Sequence, residues 1–291
     1  MARDLESLEA SEPSEPADRE IEAIEIRLLL EALYAKHGYD LRGYADASLR
    51  RRIHAVLARL GLTRVSDLQH RALREPEVLA LVLNYIAVRV SDLFRDPELY
   101  RALRTQVVPL LRTYPLLKIW HAGCATGEEA YACAIMLTEE GLYDRAQIYA
   151  TDLSAEALES AKQGVFPAAR LAAFEEAYRL AGGTAELSRY CTTAYDGIAM
   201  AESLRRNILF FQHNLVSDHA FGEMNVIFCR NVFIYFGHDL RRQVLEKFVM
   251  SLRPGGFLCL GQSERLTAAD RQERFELIAD QSPIYRYTAL R

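Results

Sequence analysis

The residues best placed to do chemistry cluster in one loop. Ile119-Trp120 runs as an apolar strand into His121-Ala122-Gly123-Cys124-Ala125-Thr126-Gly127, and Glu128-Glu129 opens a helix behind it. A loop of Gly, Ala, Cys and Thr between strand and helix lets main chain approach a ligand closely at a topological switch point. Asp152 ends the next strand, 25 residues beyond Gly127. A doubly wound fold places an acid there to accept hydrogen bonds from ribose hydroxyls. Loop and acid together point to a nucleoside-containing cofactor. The Gly-x-x-x-Gly spacing differs from the dinucleotide fingerprint Gly-x-Gly-x-x-Gly, and the chain has no Gly-Lys-Ser/Thr element. That disfavours a dinucleotide or ATP and favours S-adenosylmethionine. A tight strand–helix turn with no ligand is the bland alternative.

The elements around this loop must hold it. Strands are expected at Leu116–Trp120, Gln147–Ala150, Ile208–Gln212, Asn225–Cys229 and Gly256–Gly261, with helices over Glu128–Glu140, from Ser154 to Gly164 and over Asp239–Leu252. This alternation predicts an α/β fold, a doubly wound and mostly parallel sheet. Phe275–Ile278 and Ile284–Thr288 are expected as a closing antiparallel pair, and residues 184–203, with a turn at Asp196-Gly197, as a small β insert. The first 90 or so residues are mostly helical. Ile21 to His37 has helical rhythm, and Leu49, Ile53, Val56, Leu57 and Leu60 form one apolar face of a helix capped by Ser48 and stopped at Gly61. Short helices follow to about Ala87, broken at Pro76, and Pro97 starts another to about Arg112. The expected domains are an acidic tail over 1–20, a helical domain over 21–90, a linker helix over 91–115 and the sheet domain over 116–291.

Charge narrows the function classes. Residues 1–20 hold seven acids against two arginines, which leaves 33 basic and 33 acidic residues in the remainder of this 291-residue chain. The tail composition predicts disorder, and a neutral body argues against nucleic acid as the partner. The five cysteines are odd in number and widely spaced, with no CxxC or CxxxH pair, so no metal site is expected and the thiols should be reduced. No apolar run behind a basic start marks a secretory signal, and no stretch reaches membrane-spanning length. A cytoplasmic protein without membrane insertion is expected.

Five blocks then occur in order: Ala-Gly-Cys-Ala-Thr-Gly-Glu-Glu at 122–129, Ala150-Thr151-Asp152-Leu153, His213-Asn214-Leu215, Cys229-Arg230-Asn231-Val232-Phe233-Ile234-Tyr235-Phe236 and Gly261-Gln262-Ser263-Glu264. Upstream lie Gly38-Tyr39-Asp40-Leu41, Leu49-Arg50-Arg51-Arg52 and Asp92-Leu93-Phe94-Arg95-Asp96-Pro97. Over about residues 21–288 the chain resembles the CheR-type chemotaxis receptor glutamate O-methyltransferases. The resemblance implies an all-α N-terminal domain joined to a Rossmann-like class I methyltransferase domain with an inserted β-subdomain. It implies S-adenosyl-L-methionine as cofactor, S-adenosyl-L-homocysteine as product, and the cytoplasmic helices of methyl-accepting receptors as partner. By the same resemblance Arg95 contacts cofactor and approaches the transfer site, and Glu129 and Asp152 lie on the cofactor, Asp152 on its ribose. Asn214 and Leu215 border the adenine, Asn231 and Val232 the methionine part, and Tyr235 the transferred methyl.

Bland alternatives exist. Arg95 could pair with Asp92 or Asp96, the asparagines could satisfy loop backbone, Tyr235 could pack in a core, and Glu128 suits a helix start. Several positions depart from the family pattern. Arg89-Val90-Ser91 stands where Asn-x-Thr is common, with Ser91 keeping a cofactor-facing hydroxyl; Gln262 replaces a histidine and Ala130 a proline. The insert does not clearly match the version that holds a receptor's C-terminal pentapeptide, and no such tether is claimed.

A glutamate side chain, with a pKa of about 4.3, is already a nucleophilic carboxylate at neutral pH. Arg95 and Tyr235 are therefore expected to position the acceptor, not to exchange protons. Residues 48–75 carry seven arginines against Asp67 and Glu75. Arg52 and Arg59 lie on one flank of their helix, where they are expected to dock an acidic helical substrate. The function expected is glutamate methyl-ester formation on chemotaxis receptors. The alternatives are methylation of another signalling protein or a small acid, and a non-catalytic S-adenosylmethionine-binding scaffold.

Overall fold

The computed structural model describes residues 16–86, 91–271, 274–279 and 281–288. These residues fall into two compact units: the N-terminal helices together with Tyr235–Leu240, and the remainder. The expected tail over 1–20 lies outside the described residues as far as residue 15. From Pro16 the chain is helical, so residues 16–20 of the expected tail belong to a helix, and proline suits a first turn.

The helical unit is built from α1 (Pro16–His37), α2 (Asp46–Leu60), α3 (Val65–Ala72) and α4 (Pro76–Ile86). Leu49, Ile53, Val56 and Leu57 are buried, so the expected apolar stripe of α2 is its inner face. Ser48 does not cap it. The helix begins at Asp46, and the cap residue Ala45 makes no side-chain cap bond. Its amide donates to the carbonyl of Tyr235 at 2.8 Å instead. Gly237 donates to Gly43, and the Tyr44 and Phe236 rings meet edge-on at 5.2 Å. The segment at 235–240 is thereby tied to the start of α2.

The sheet unit opens with α5 (Pro97–Ala102), a π turn and α6 (Val108–Leu111), then β1 (Leu117–Ala122), α7 (Glu128–Glu139), β2 (Ala146–Asp152) and α8 (Ala155–Gln163). There follow β3 (Val165–Pro167), α9 (Leu171–Leu180), β4 (Cys191–Ala194), β5 (Gly197–Met200), α10 (Glu202–Arg205), β6 (Ile208–Gln212) and β7 (Met224–Cys229). Helix α11 (His238–Ser251), β8 (Leu252–Leu260), α12 (Ala268–Arg271), β9 (Phe275–Ala279) and β10 (Ile284–Tyr287) complete the chain. The seven-stranded sheet runs β6-β2-β1-β7-β8-β10-β9. Pairings from β6 to β8 are parallel, while β10 pairs antiparallel with β8 and β9. The chain winds outward from β1 to β6 and then returns to β7 on the other side of β1. That reversal puts the switch point between β1 and β7. Strand β7 is buried at every position, as is helix α7 from Ala130 to Leu137. Both belong to the apolar core of this unit.

The small sheet has three strands, β3-β5-β4, where a hairpin within 184–203 is expected. Strand β3 is only Val-Phe-Pro, too short to leave a pattern in the sequence. All five cysteines are free and buried. No helix among the described residues is long and apolar enough to cross a membrane.

Candidate functional site

The carboxyl ends of β1, β2, β6 and β7 converge around the loop after β1. Gly123 and Cys124 donate their amides to the Thr151 carbonyl at 2.8 and 2.9 Å, folding the loop over the end of β2. Asp152, 8% exposed, accepts from the Ala125 amide at 2.8 Å and from the Ser154 amide at 2.9 Å, one per carboxylate oxygen. Gly123 has φ +80°, and a Cβ there would sit 2.6 Å from Cγ2 of Val232. Only glycine lets the loops after β1 and β7 touch at this point.

Gly127, at φ +91°, turns the chain into α7, whose first turn carries Glu128 and Glu129. The two acids differ. Burial pushes the Glu128 carboxyl above its ordinary range, against the pull of Thr126 and of Arg170 at 2.8 Å. Burial also raises Glu129, but Arg230 at 2.6 Å and His121 at 2.8 Å outweigh it and bring the carboxyl down to about 2. His121 is held flat on Phe228, ring centres 4.5 Å apart.

At the end of β6, the His213 amide donates to the Asp152 carbonyl. Burial lowers the pKa of the His213 imidazole. Asn214 accepts from the Val216 amide at 2.9 Å, and its own amide donates to Asp218 at 2.8 Å. Its side-chain nitrogen is buried without a partner in the protein. Lys247 donates to the carbonyls of Leu215 and Asp218, each at 2.8 Å, and so closes this loop from beneath.

At the end of β7, Asn231 adopts φ +58°. Its amide donates to Glu264 at 2.9 Å, which also accepts from Gly261 and Ile234. Glu264 is 4% exposed and ties the loops after β7 and β8 together. The sequence places it in a recognised block but offers no signal for this role.

Ser91 and Arg95 lie in the segment ahead of α5. Arg170 donates to the Ser91 carbonyl and pairs with Asp92; Arg230 donates to the Arg95 carbonyl at 2.8 Å and to Asp96 at 2.6 Å. Ser91, Arg95, Gly123, Glu129, Asp152, Asn214, Leu215, Asn231 and Val232 therefore belong to one connected edge of the sheet unit. Tyr235, Arg52 and Arg59 belong to the helical unit. The departure at Arg89 lies outside the described residues.

Arg52 corrects an expectation. It is not exposed beside Arg59 but 8% exposed, with its guanidinium donating to the carbonyls of Tyr85 and Ile86 and to the Ser48 hydroxyl. It also stacks 4.2 Å over the Tyr235 ring. The cause is the end of α4: its last carbonyls lack intrahelical partners and carry the negative end of the helix dipole, which draws in a cation. Of the other arginines in 48–75, Arg50 pairs with Glu22, Arg71 with Glu75 and Arg74 with His70. Arg51, Arg59 and Arg64 are exposed.

The edge fits an adenosyl sulfonium on one observation: Asn214 keeps a buried amide donor unused by the protein, while Asp152 ends its strand where a doubly wound fold places the acid for ribose. Among the described residues no group of His, Cys, Asp and Glu is arranged to hold a metal.

Comparison with known proteins agrees. Residues 89–282 match the family described as CheR methyltransferase, SAM binding domain, and residues 24–87 match CheR methyltransferase, all-alpha domain. The Pseudomonas putida protein Cher3, named as a methyltransferase, is 46% identical over 263 residues, covering 90% of this chain and 96% of its own. A chemotaxis protein methyltransferase of Vibrio anguillarum is 30% identical over 242 residues, covering 79% of this chain and 84% of its own. One from Listeria monocytogenes is 29% identical over 231 residues, with 79% and 85% covered. Residues 89–282 thus form an S-adenosylmethionine-binding domain, and the chain belongs to the CheR methyltransferase family.

Proposed function

We propose that this chain transfers the methyl group of S-adenosylmethionine to glutamate side chains on the cytoplasmic helices of chemotaxis receptors. One observation carries the chemistry: the carboxylates at the site are already engaged. Asp152 and Glu264 hold backbone amides, and Glu128 and Glu129 hold arginines. Such a site suits an acceptor that arrives deprotonated, and a carboxylate does so at neutral pH. The cofactor supplies an electrophilic methyl on a cationic sulfur. The residues of the chain align the acceptor with it and exclude water, and alignment is worth most of the barrier lowering in such a reaction.

In this reading Asp152 binds ribose, Asn214 and Leu215 the adenine, and Asn231, Val232 and Glu129 the methionine end. Ser91 and Arg95 flank the cofactor. Arg95 and Tyr235 position the acceptor carboxylate. The names of the Vibrio and Listeria relatives support a chemotaxis role. The helical residues, 21–90 by the sequence reading, are the proposed docking domain. Its exposed Arg59, with Arg51 and Arg64, offers the charge that an acidic receptor helix needs.

Tritiated S-adenosylmethionine mixed with receptor-enriched membranes tests the reaction. Label should enter receptor and leave as methanol in mild base. Label on another protein, or on a small acid, would favour the second reading, a related methyltransferase of different substrate. Tyr235→Phe should lower turnover about threefold to tenfold with cofactor affinity unchanged; an unchanged rate would remove Tyr235 from the transfer step.

A further inference from the structure

The segment from Ser91 to Asp96 has a shape that its own sequence does not impose. Phe94 and Asp96 both sit at φ +56°, in the left-handed region that side chains avoid. Asp96 precedes Pro97 at the cap position of α5, yet its side chain makes no cap bond with that helix. Its carboxylate turns to Arg230 instead, at 2.6 Å.

Two arginines hold this segment from outside. Arg170 grips Ser91 and Asp92 and pairs with Glu128. Arg230 grips Asp96 and the Arg95 carbonyl and pairs with Glu129. Glu128 and Glu129 are neighbours in the first turn of α7, so one step of that helix anchors both halves of the segment. The two clamps are unequal. The Arg170 side chain is 30% exposed, the Arg230 side chain 2%. A guanidinium buried that deeply is stable only while its partners stay in place, and its rigid fork serves two carboxylates where an ammonium is a single point charge.

We propose that Arg230 is a positioning residue for cofactor binding and methyl transfer. Through Asp96 and the Arg95 carbonyl it sets the backbone that presents Arg95. Through Glu129 it fixes that segment against the first turn of α7, the opposite wall of the cofactor crevice. The proposal rests on the reading above that Arg95 meets the cofactor.

Calorimetry with S-adenosylhomocysteine on the full chain tests it, beside thermal unfolding of the ligand-free protein and methyl transfer. Arg230→Lys keeps the charge but loses the fork. It should weaken S-adenosylhomocysteine about tenfold or more and lower kcat more than it raises KM for receptor. Asp96→Asn removes one arm only and keeps a residue that accepts the left-handed conformation; it should weaken binding about threefold to tenfold. Affinity within about twofold of wild type in either variant would overturn the proposal, as would a loss that follows only the unfolded fraction. Should Arg230→Lys fail to fold, Asp96→Asn decides alone. A wild-type protein that binds S-adenosylhomocysteine but leaves receptor unlabelled would defeat the receptor reading, and the binding measurements would still decide the role of Arg230.

Discussion

The carboxyl edge of the sheet unit, where the cofactor is proposed to bind, and the arginine-rich part of the helical unit use charge in opposite ways. At the carboxyl edge, Asp152, Glu129, Glu264 and Arg230 are buried or nearly so, and their partners are largely loop amides, carbonyls and each other. In the helical unit Arg51, Arg59 and Arg64 are exposed, while Arg52 is drawn in to satisfy the end of α4. Buried charge fixes main chain and so shapes a site for one small molecule. Exposed charge is adaptable and screened by salt, which suits a large partner met transiently. The contrast predicts large effects on stability and cofactor affinity from the first region, and small effects on partner recognition from the second.

Four sets of substitutions probe that contrast, from strong to weak. Asp152→Ala leaves the amides of Ala125 and Ser154 without acceptor. It should destabilise by about 4 kcal/mol and abolish measurable S-adenosylhomocysteine binding in calorimetry; near-normal affinity would detach Asp152 from the cofactor. Glu129→Gln should alter the acid limb of stability. The folded carboxyl titrates at about 2 against an ordinary 4.5, so its contribution is complete above 4.5 and lost as pH falls toward 2. That is about 3 kcal/mol in wild type. Denaturant unfolding across this range should show the slope in wild type and lack it in the variant.

Gly123→Ala meets both a positive φ and the Val232 methyl. A loss of about 2 kcal/mol is expected from thermal unfolding. Adding Val232→Ala should recover part of it. Full recovery would make the contact the whole cause, and none would make it the backbone. Smallest is the pair of α2 arginines. Arg52→Ala should cost about 2 kcal/mol of stability. Arg59→Ala should change stability by less than about 0.5 kcal/mol and raise the receptor KM about threefold, with cofactor KM unchanged. If Arg52 instead behaved like Arg59, the distinction between buried and exposed arginines would fail.

The same contrast explains what could be read from sequence. The parallel sheet is legible because β1, β2, β7 and β8 are apolar runs separated by helices of ordinary length, and Ser154 caps α8 as its position suggests. The placement of Asp152 beside the loop after β1 follows from strand and helix lengths alone. What escapes is whatever depends on a partner far along the chain. Arg52 is read as a flank residue because helical spacing says nothing of the α4 carbonyls more than 30 residues later. Arg230 and Glu264 sit in recognisable blocks, yet their roles depend on Asp96, Glu129 and Asn231, which folding brings to them. Strand β3 is three residues long and ends in proline, so it forms only because β5 offers an edge.

Tandem mass spectrometry of receptor peptides after incubation with the chain and S-adenosylmethionine tests the central claim most directly. Methyl esters should sit on glutamate side chains of the receptor's cytoplasmic helices, and the Asp152→Ala variant should leave those peptides unmodified. Unmodified receptor peptides from a wild-type chain that still binds S-adenosylhomocysteine would contradict the account.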